Sequence, residues 1–141
     1  MIEHAWTVVC SNSSLDEQAG SISMQAVDQI NIGEPLRQIG NIFVVPLPIH
    51  VVSFWYRREQ SGPEAGVATI SIVDAKNVSL AHFDVAVRMD SGGRARTRHL
   101  LPDFPITGAG MHQFVITFKQ GDASREVARI PLAIRLASPA A

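Results

Sequence analysis

Residues 111–136, MHQFVITFKQGDASREVARIPLAIRL, decide the fold class. Phe114, Ile116 and Phe118 alternate with other residues, a glycine-aspartate turn follows, and a second alternating segment ends the stretch. A period of two is what a strand with one buried face requires, because successive side chains point to opposite faces. The stretch therefore predicts an antiparallel hairpin, and Pro131 marks its last strand as one at a sheet edge.

The same alternation recurs along most of the chain, and helical spacing is not sustained over the roughly ten residues that a helix needs. Besides the closing hairpin, we expect strands over residues 3–10, 21–32, 67–73, 78–89 and 94–101, and an extended stretch over 42–58 in which residues 49–58 form a separate strand. Polar loops are expected between them, at 11–20 and 33–41 among others. About eight mostly antiparallel strands predict an all-β, single-domain sandwich. Residues 1–136 fit one domain, with 137–141 as a loose tail.

Three sequence features indicate where strands break. Pro46 and Pro48 remove backbone donors from the same side of one strand, which predicts an edge strand or a crossing between sheets, with a bend near Pro48. Asp28 interrupts an apolar parity and indicates a bulge, a strand end or a paired buried carboxylate. The apolar parity shifts near Ala81 and His82, as one extra bulge residue would cause.

Composition limits the classes of partner. The 141 residues include 12 basic and 13 acidic side chains, so the net charge of −1 provides no overall attraction to nucleic acid or an anionic membrane. No apolar run approaches the roughly 18 residues of a membrane span, and no signal peptide is apparent. Cys10 is the only cysteine and suits a buried thiol in a reducing compartment. We expect a cytoplasmic protein that binds neither nucleic acid nor membrane.

The common catalytic signatures are absent: there is no GxSxG elbow, P-loop, HExxH or CxxC motif. We therefore expect a protein that is not an enzyme and uses no cofactor. His82 and Asp84 lie two apart on one strand and could supply two metal ligands, but no third ligand is identifiable. An exposed polar strand face explains the pair equally simply. A hydrolase would need serine, histidine and aspartate side chains that the sequence does not bring together.

Arg94, Arg96 and Arg98 share one parity, which places three guanidinium groups along one strand face. They lie beside Arg57 or Arg58 if those strands pair. Like charges repel, so the stripe could be kept to hold an acidic partner, a phosphate or a polyanion, all of which suit the forked donors of arginine. A solvated edge strand that charge protects from aggregation accounts for the same pattern.

Trp55 and Tyr56 point to opposite faces of their strand, so one ring belongs to the core and the other can be exposed. An exposed ring is a platform for a sugar or for a partner protein. We take Trp55 as the candidate contact residue.

Acidic residues recur in loops that meet at one end of the sandwich if successive strands alternate in direction. Oxygen ligands from several loops suit Ca²⁺, although these are also ordinary turn residues. The candidate calcium ligands are Asp16, Glu64, Asp90 and Asp122.

The opening AWTVVC of residues 5–10, followed by a polar loop and SISM at 21–24, resembles the start of a bacterial family of short β-sandwich proteins with no assigned activity. The closing hairpin is similar to the final hairpin of many Ig-like or C2-like sandwiches. These resemblances imply an Ig-like or C2-like sandwich with Greek-key connections and leave the function open.

The leading hypothesis is a non-enzymatic binding or assembly module that self-associates or docks a protein partner through an edge strand or the arginine-bearing face. The alternative is a sandwich module that binds carbohydrate or calcium.

Overall fold

The computed structural model describes residues 1–16, 18–59, 62–90 and 92–137. These residues form twelve β-strands. The strands of the first half are β1 (Glu3–Asp16), β2 (Ser21–Ala26), β3 (Gln29–Ile32), β4 (Arg37–Ile39), β5 (Ile42–Val45) and β6 (Ile49–Tyr56). Those of the second half are β7 (Glu64–Val73), β8 (Ser79–Met89), β9 (Arg94–Leu101), β10 (Phe104–Ile106), β11 (Gly110–Gln120) and β12 (Ala123–Leu136). Within the described ranges, no helix is long and apolar enough to cross a membrane.

The strands form two principal sheets and one small one. Sheet A has the order β2-β1-β6-β9, sheet B the order β3-β12-β11-β7-β8, and sheet C the order β10-β5-β4. Neighbouring strands are antiparallel except for β3 and β12, which are parallel. The predicted all-β sandwich is confirmed. There are more strands than the expected eight because of the short strands β4 and β10 and because the predicted strand over 21–32 is divided into β2 and β3. The division of 42–58 into β5 and β6 is the one predicted near Pro48.

Apolar side chains from the inner faces of sheets A and B form one core. In the closing hairpin, Phe114, Ile116 and Phe118 are buried as predicted. Leu136 is 44% exposed, although its parity predicts the core face. It lies at the end of β12, beyond the last residue that pairs with β11, so the sheet covers it less. The first residue of the predicted loose tail is held, because the Ala137 amide donates to the Ile32 carbonyl at 2.7 Å; the rest of the predicted tail, residues 138–141, lies outside the described ranges.

Two of the crossings between sheets lie at predicted breaks. Pro46 and Pro48 connect β5, the central strand of sheet C, to β6, an inner strand of sheet A. Both strands pair on both sides, so the crossing is confirmed and the edge-strand alternative is wrong. Asp28 marks a strand end: its carbonyl accepts the Ala133 amide of sheet B at 2.9 Å, while the Val27 amide donates to sheet A.

The pairing of the strands also tests the edge predicted at Pro131 and the bulge predicted near Ala81 and His82. β12 is an inner strand of sheet B, between β3 and β11, so the prediction that it is an edge strand is wrong. It pairs with β3 only from Ala133 onward, so Pro131 itself lies on a stretch with strand pairing on one side. The extra residue of β8 is Leu80, because Ala81 pairs with Ile72 and Ser79 with Val73. The bulge therefore lies one residue before Ala81.

The predicted loop at 11–20 is wrong over most of its length. β1 passes a bulge between Cys10 and Asn12 and then pairs with β2 as far as Asp16. We call residues 12–26 the hairpin 12–26. It folds over the outer face of sheet A, where the Ser13 hydroxyl and the His50 ring nitrogen Nδ1 hydrogen-bond at 2.7 Å. This contact accounts for the complete burial of Cys10, which sheet A carries on its outer face.

Candidate functional site

The three arginines of the predicted stripe lie on β9, the terminal strand of sheet A. β9 pairs with β6, so that Arg94 is opposite Tyr56, Arg96 opposite Phe54 and Arg98 opposite Val52. The residues between them belong to the other parity, which faces the core and includes the partner of Trp55. The arginines therefore lie together on the outer face of sheet A, as the sequence predicts.

Each arginine has a different environment. Arg94 is exposed. Arg96 donates to the Gly20 carbonyl and lies 6.0 Å from the centre of the Phe54 ring, which is the distance of a cation–π contact. Arg98 donates to the Ser13 carbonyl at 3.3 Å. In the described part of the chain, none of the three forms a salt bridge with an acidic side chain.

A pair of aromatic rings lies next to the arginines. Trp6 of β1 and Phe54 of β6 are register neighbours, and their ring centres are 5.8 Å apart with 24° between the planes. Trp6, Phe54 and Arg96 thus form one row across three strands. We call Trp6, Phe54, Arg94, Arg96 and Arg98 together the arginine surface. Sequence reasoning misses Trp6 and Phe54, because only the pairing of β1 with β6 brings these distant rings together.

An open groove of about 430 Å³ runs along this surface. The hairpin 12–26 lines it with Leu15 and Gly20, and the turn between β8 and β9 lines it with Asp90. Phe54, Arg94 and Arg96 line its floor. The groove offers a segment of a partner both positive charge and apolar contact.

Trp55 is a core residue and cannot contact a partner. Its ring is fully buried, lies 4.8 Å from the Phe118 ring, and donates its Nε1–H to the Thr97 hydroxyl at 3.0 Å. Tyr56 is half-buried on the opposite face, opposite Arg94. The two rings point to opposite faces as predicted, and Tyr56, not Trp55, is the ring that is partly exposed.

The proposed calcium ligands do not come together as a cluster. Asp16 accepts the Ala19 amide at 3.0 Å, and Asp90 accepts the Gly92 amide at 2.8 Å, which are turn contacts. Asp122 is exposed in the turn between β11 and β12. Across the ranges that the structure describes, no group of three or more His, Cys, Asp or Glu side chains is placed to hold a metal ion.

The fourth candidate ligand, Glu64, belongs to a cluster around buried Arg57. The Arg57 side chain is 1% exposed, and its guanidinium lies 3.1 Å from the Glu64 carboxylate. It also donates to the Gly62 carbonyl and, at 2.9 Å, to the Asp90 carbonyl. Gln120 donates to Glu64 at 2.6 Å, and this hydrogen bond more than that of Arg57 lowers the pKa of Glu64. Residues 62, 64, 90 and 120 converge here, whereas Asp16 does not join them, and an arginine supplies the positive charge.

The other polar positions have structural partners. Asp84 accepts the Thr69 hydroxyl at 2.7 Å, and His82 is exposed beside it on β8. Asp74 accepts the backbone amides of Val78 and Lys76, each at 2.9 Å, and these bonds hold its pKa below the usual range. That carboxylate closes the turn between β7 and β8 and is mostly buried.

No family model matches this chain, and no curated protein matches it. Among solved structures, it is similar to a glycosyl hydrolase family 2 member from Bacteroides cellulosilyticus, with a TM-score of 0.51 and 19% identity over 62% of this chain and 12% of that one. It is also similar to the alkylpurine DNA glycosylase AlkC of Pseudomonas fluorescens, with a TM-score of 0.51 and 13% identity over 95% of this chain and 30% of that one.

An immunoglobulin-like protein from Pseudomonas aeruginosa matches over 96% of this chain and 92% of its own, with a TM-score of 0.37 and 11% identity. The likeness shows the fold alone. The chain spans only a small part of the first two proteins, whose activities belong to much longer chains. The sandwich fold that the resemblance implies is confirmed by the strands and sheets of the structure itself.

Proposed function

We propose that the protein is a non-enzymatic binding module that holds an acidic protein segment on the arginine surface. The observation that carries the proposal is the set of three arginines on a terminal strand with no acidic counterpart among the described residues. A guanidinium has five N–H donors. The single carbonyl bonds of Arg96 and Arg98 therefore leave most of their donors for a partner.

Charge favours a carboxylate-rich partner. Residues two apart on a strand are separated by about 6.8 Å, so the three guanidinium groups repel one another at short range. Carboxylates placed between them remove this repulsion and form forked hydrogen bonds. The Phe54 ring beneath Arg96 and the apolar Leu15 beside it add contact area that a dispersed surface charge lacks.

A carbohydrate is the second candidate, supported by the stacked rings of Trp6 and Phe54 next to the groove. A sugar would contact the rings and would bind with little dependence on salt. An acidic protein segment depends on salt, because exposed ion pairs are screened within about 10 Å at 0.1 M salt. Titration of a neutral oligosaccharide followed by tryptophan fluorescence separates the two candidates.

The test compares two variants of equal net charge. One replaces Arg94, Arg96 and Arg98 by glutamine, and the other replaces three exposed arginines elsewhere, Arg37, Arg88 and Arg135. The probe is fluorescein-labelled poly-L-glutamate at low salt, followed by anisotropy. Three exposed ion pairs of about 0.5 kcal/mol each correspond to about a tenfold loss of affinity for the first variant. The control is expected to bind almost as well as the wild type.

Equal losses of affinity in the two variants would show that binding depends on net charge alone. An unchanged affinity in the first variant would show that Arg94, Arg96 and Arg98 do not bind the probe. Either result contradicts the proposal. Since Arg96 and Arg98 also bond the hairpin 12–26, the single variant Arg94→Gln and a thermal melt accompany the triple variant. Arg94→Gln alone should weaken binding and leave the melting temperature unchanged.

A further inference from the structure

The outer edge of β9 is open. β9 ends the order of sheet A, so β6 is the only strand that hydrogen-bonds to it within the described ranges, while β8 of sheet B packs beside it with the Phe83 and His99 rings 5.1 Å apart. The inward-facing Ala95 and Thr97 of β9 are only half-buried, whereas Ser53 and Trp55 of the adjacent β6 are buried. A strand at the edge of a sheet presents unpaired backbone N–H and C=O groups along one side. The outer edge of β9 can therefore accept backbone hydrogen bonds from a further strand.

The outward side chains of β9 form a regular row along that edge. Arg94, Arg96 and Arg98 are followed by Leu100, which shares their parity and is 51% exposed. The row repeats at about 6.8 Å, the distance between alternate residues of any strand. A strand paired with β9 would place its own alternate side chains about 5 Å from this row.

We propose that the acidic partner binds as an extended strand that pairs with β9 and presents an acidic side chain at every second residue, opposite Arg94, Arg96 and Arg98. An apolar side chain of the same strand then lies opposite Leu100. Backbone hydrogen bonds between β9 and the partner strand contribute affinity whatever the partner's side chains are. The alternating acidic side chains determine which partner binds and in which register it pairs with β9. This inference rests on the proposed function and names the form that the partner takes.

The sequence indicates that the partner is a different protein and not a second copy of this chain. The 13 acidic residues include no two that are separated by one residue, so no segment of this chain has acids at alternate positions. Each pair of opposite charges across antiparallel strands contributes roughly 0.2–1 kcal/mol, and like charges destabilise. A second copy of β9 would place arginines against arginines.

The experiment uses the full chain and four synthetic peptides of equal length. One alternates glutamate with threonine over the length of β9, and a second has the same composition with its glutamates in one block. The other two are alternating peptides that carry N-methyl groups on the amides of one edge or of the opposite edge. Affinities come from fluorescence anisotropy at low salt, and hydrogen exchange reports on the β9 amides with and without peptide.

The alternating peptide should bind at least about tenfold more tightly than the block peptide, because the block divides its acids between two strand faces. N-methylation of one edge should cost about tenfold in affinity, and methylation of the other edge should have little effect, since only one edge pairs. Exchange should slow in residues 94–101, and the slowing should be absent with the block peptide.

Equal affinities for the alternating and block peptides, or equal effects of the two methylation patterns, would overturn strand pairing. The proposed function would still stand in that case if the triple arginine variant loses binding and its charge-matched control does not. If neither acidic peptide binds at low salt, the proposed function fails together with the inference.

Discussion

The buried Arg57 and the arginine surface are neighbours that use the same side chain in opposite ways. The Arg57 amide donates to the Gly93 carbonyl at 3.0 Å, and Arg94 is the residue after Gly93. Arg57 is almost completely buried and paired with Glu64, whereas Arg94 is exposed and has no acidic side chain within salt-bridge distance in the described ranges. Burial and partners, not residue type, decide whether an arginine stabilises the fold or is available to bind.

The difference follows from the cost of desolvation. A charged side chain can be buried in the folded protein only when hydrogen bonds and an opposite charge replace its water. Removal of one partner of such a buried ion pair strongly destabilises the protein. An exposed arginine keeps its water and contributes little to stability. The two regions should therefore respond differently to substitution, and the following predictions test this contrast in order of decreasing effect.

Arg57→Met should produce the largest effect, a loss of about 3–5 kcal/mol in the free energy of unfolding, because it removes a buried cation from its partner. Glu64 and the Gly62 and Asp90 carbonyls all lose hydrogen bonds from the guanidinium. Urea unfolding followed by tryptophan fluorescence measures the loss. The double variant Arg57→Met with Glu64→Leu should recover part of it, since the carboxylate that has lost its arginine is then also removed. A loss below about 1 kcal/mol would place Arg57 with the exposed arginines.

Replacement of both Arg96 and Arg98 by glutamine should loosen the hairpin 12–26 without unfolding the sandwich. Each bond to a hairpin carbonyl contributes roughly 0.5–1.5 kcal/mol, so amide exchange within the hairpin should accelerate about tenfold or more. Arg94→Gln has no such bond to lose and serves as the control. Unchanged exchange in residues 12–26 of the double variant would show that these two arginines do not hold the hairpin.

Acidification should weaken the Arg57 region and leave the arginine surface unaffected. Hydrogen bonds from Gln120 and then Arg57 lower the pKa of Glu64. A carboxyl whose pKa is lower in the folded protein contributes stability that is present above its unfolded pKa of about 4.3 and is lost as the pH falls through the folded value. The stability difference between wild type and Glu64→Gln should therefore shrink below about pH 4.3.

Unfolding midpoints between neutral and acidic pH measure this dependence. Arg94→Gln should follow the wild-type pH profile. A difference between wild type and Glu64→Gln that is the same at all pH values would contradict the assigned role of the carboxylate. Asp74, whose pKa is also lowered, leaves some acid sensitivity in every variant.

The alternation of apolar residues was sufficient to predict the sandwich, because a period of two is local and each strand carries it. The prolines at 46 and 48 located a sheet crossing for the same reason, since a missing donor has its effect at its own position. Short strands such as β4 were missed, because three exposed residues carry no alternation. The hairpin 12–26 was missed because its serine-rich first strand has the composition of a loop.

The candidate site was predictable only in part. The arginine stripe follows from parity within one strand, so the sequence located Arg94, Arg96 and Arg98 on a common face. The aromatic rings beside them depend on which strands pair, and that pairing joins residues 6 and 54, which are far apart in the sequence. Burial of Arg57 also depends on distant loops, so the sequence could not distinguish it from Arg58, which is exposed and lies 3.6 Å from Glu3.

The most direct test of the central claim is a charge exchange at Arg94, measured by anisotropy with the alternating glutamate peptide and a matching lysine peptide. Arg94→Glu should weaken binding of the glutamate peptide and strengthen binding of the lysine peptide. Arg88→Glu, an exposed position on sheet B with the same change in net charge, should alter neither affinity appreciably. Equal responses of the two variants would show that overall charge, and not the arginine surface, selects the partner.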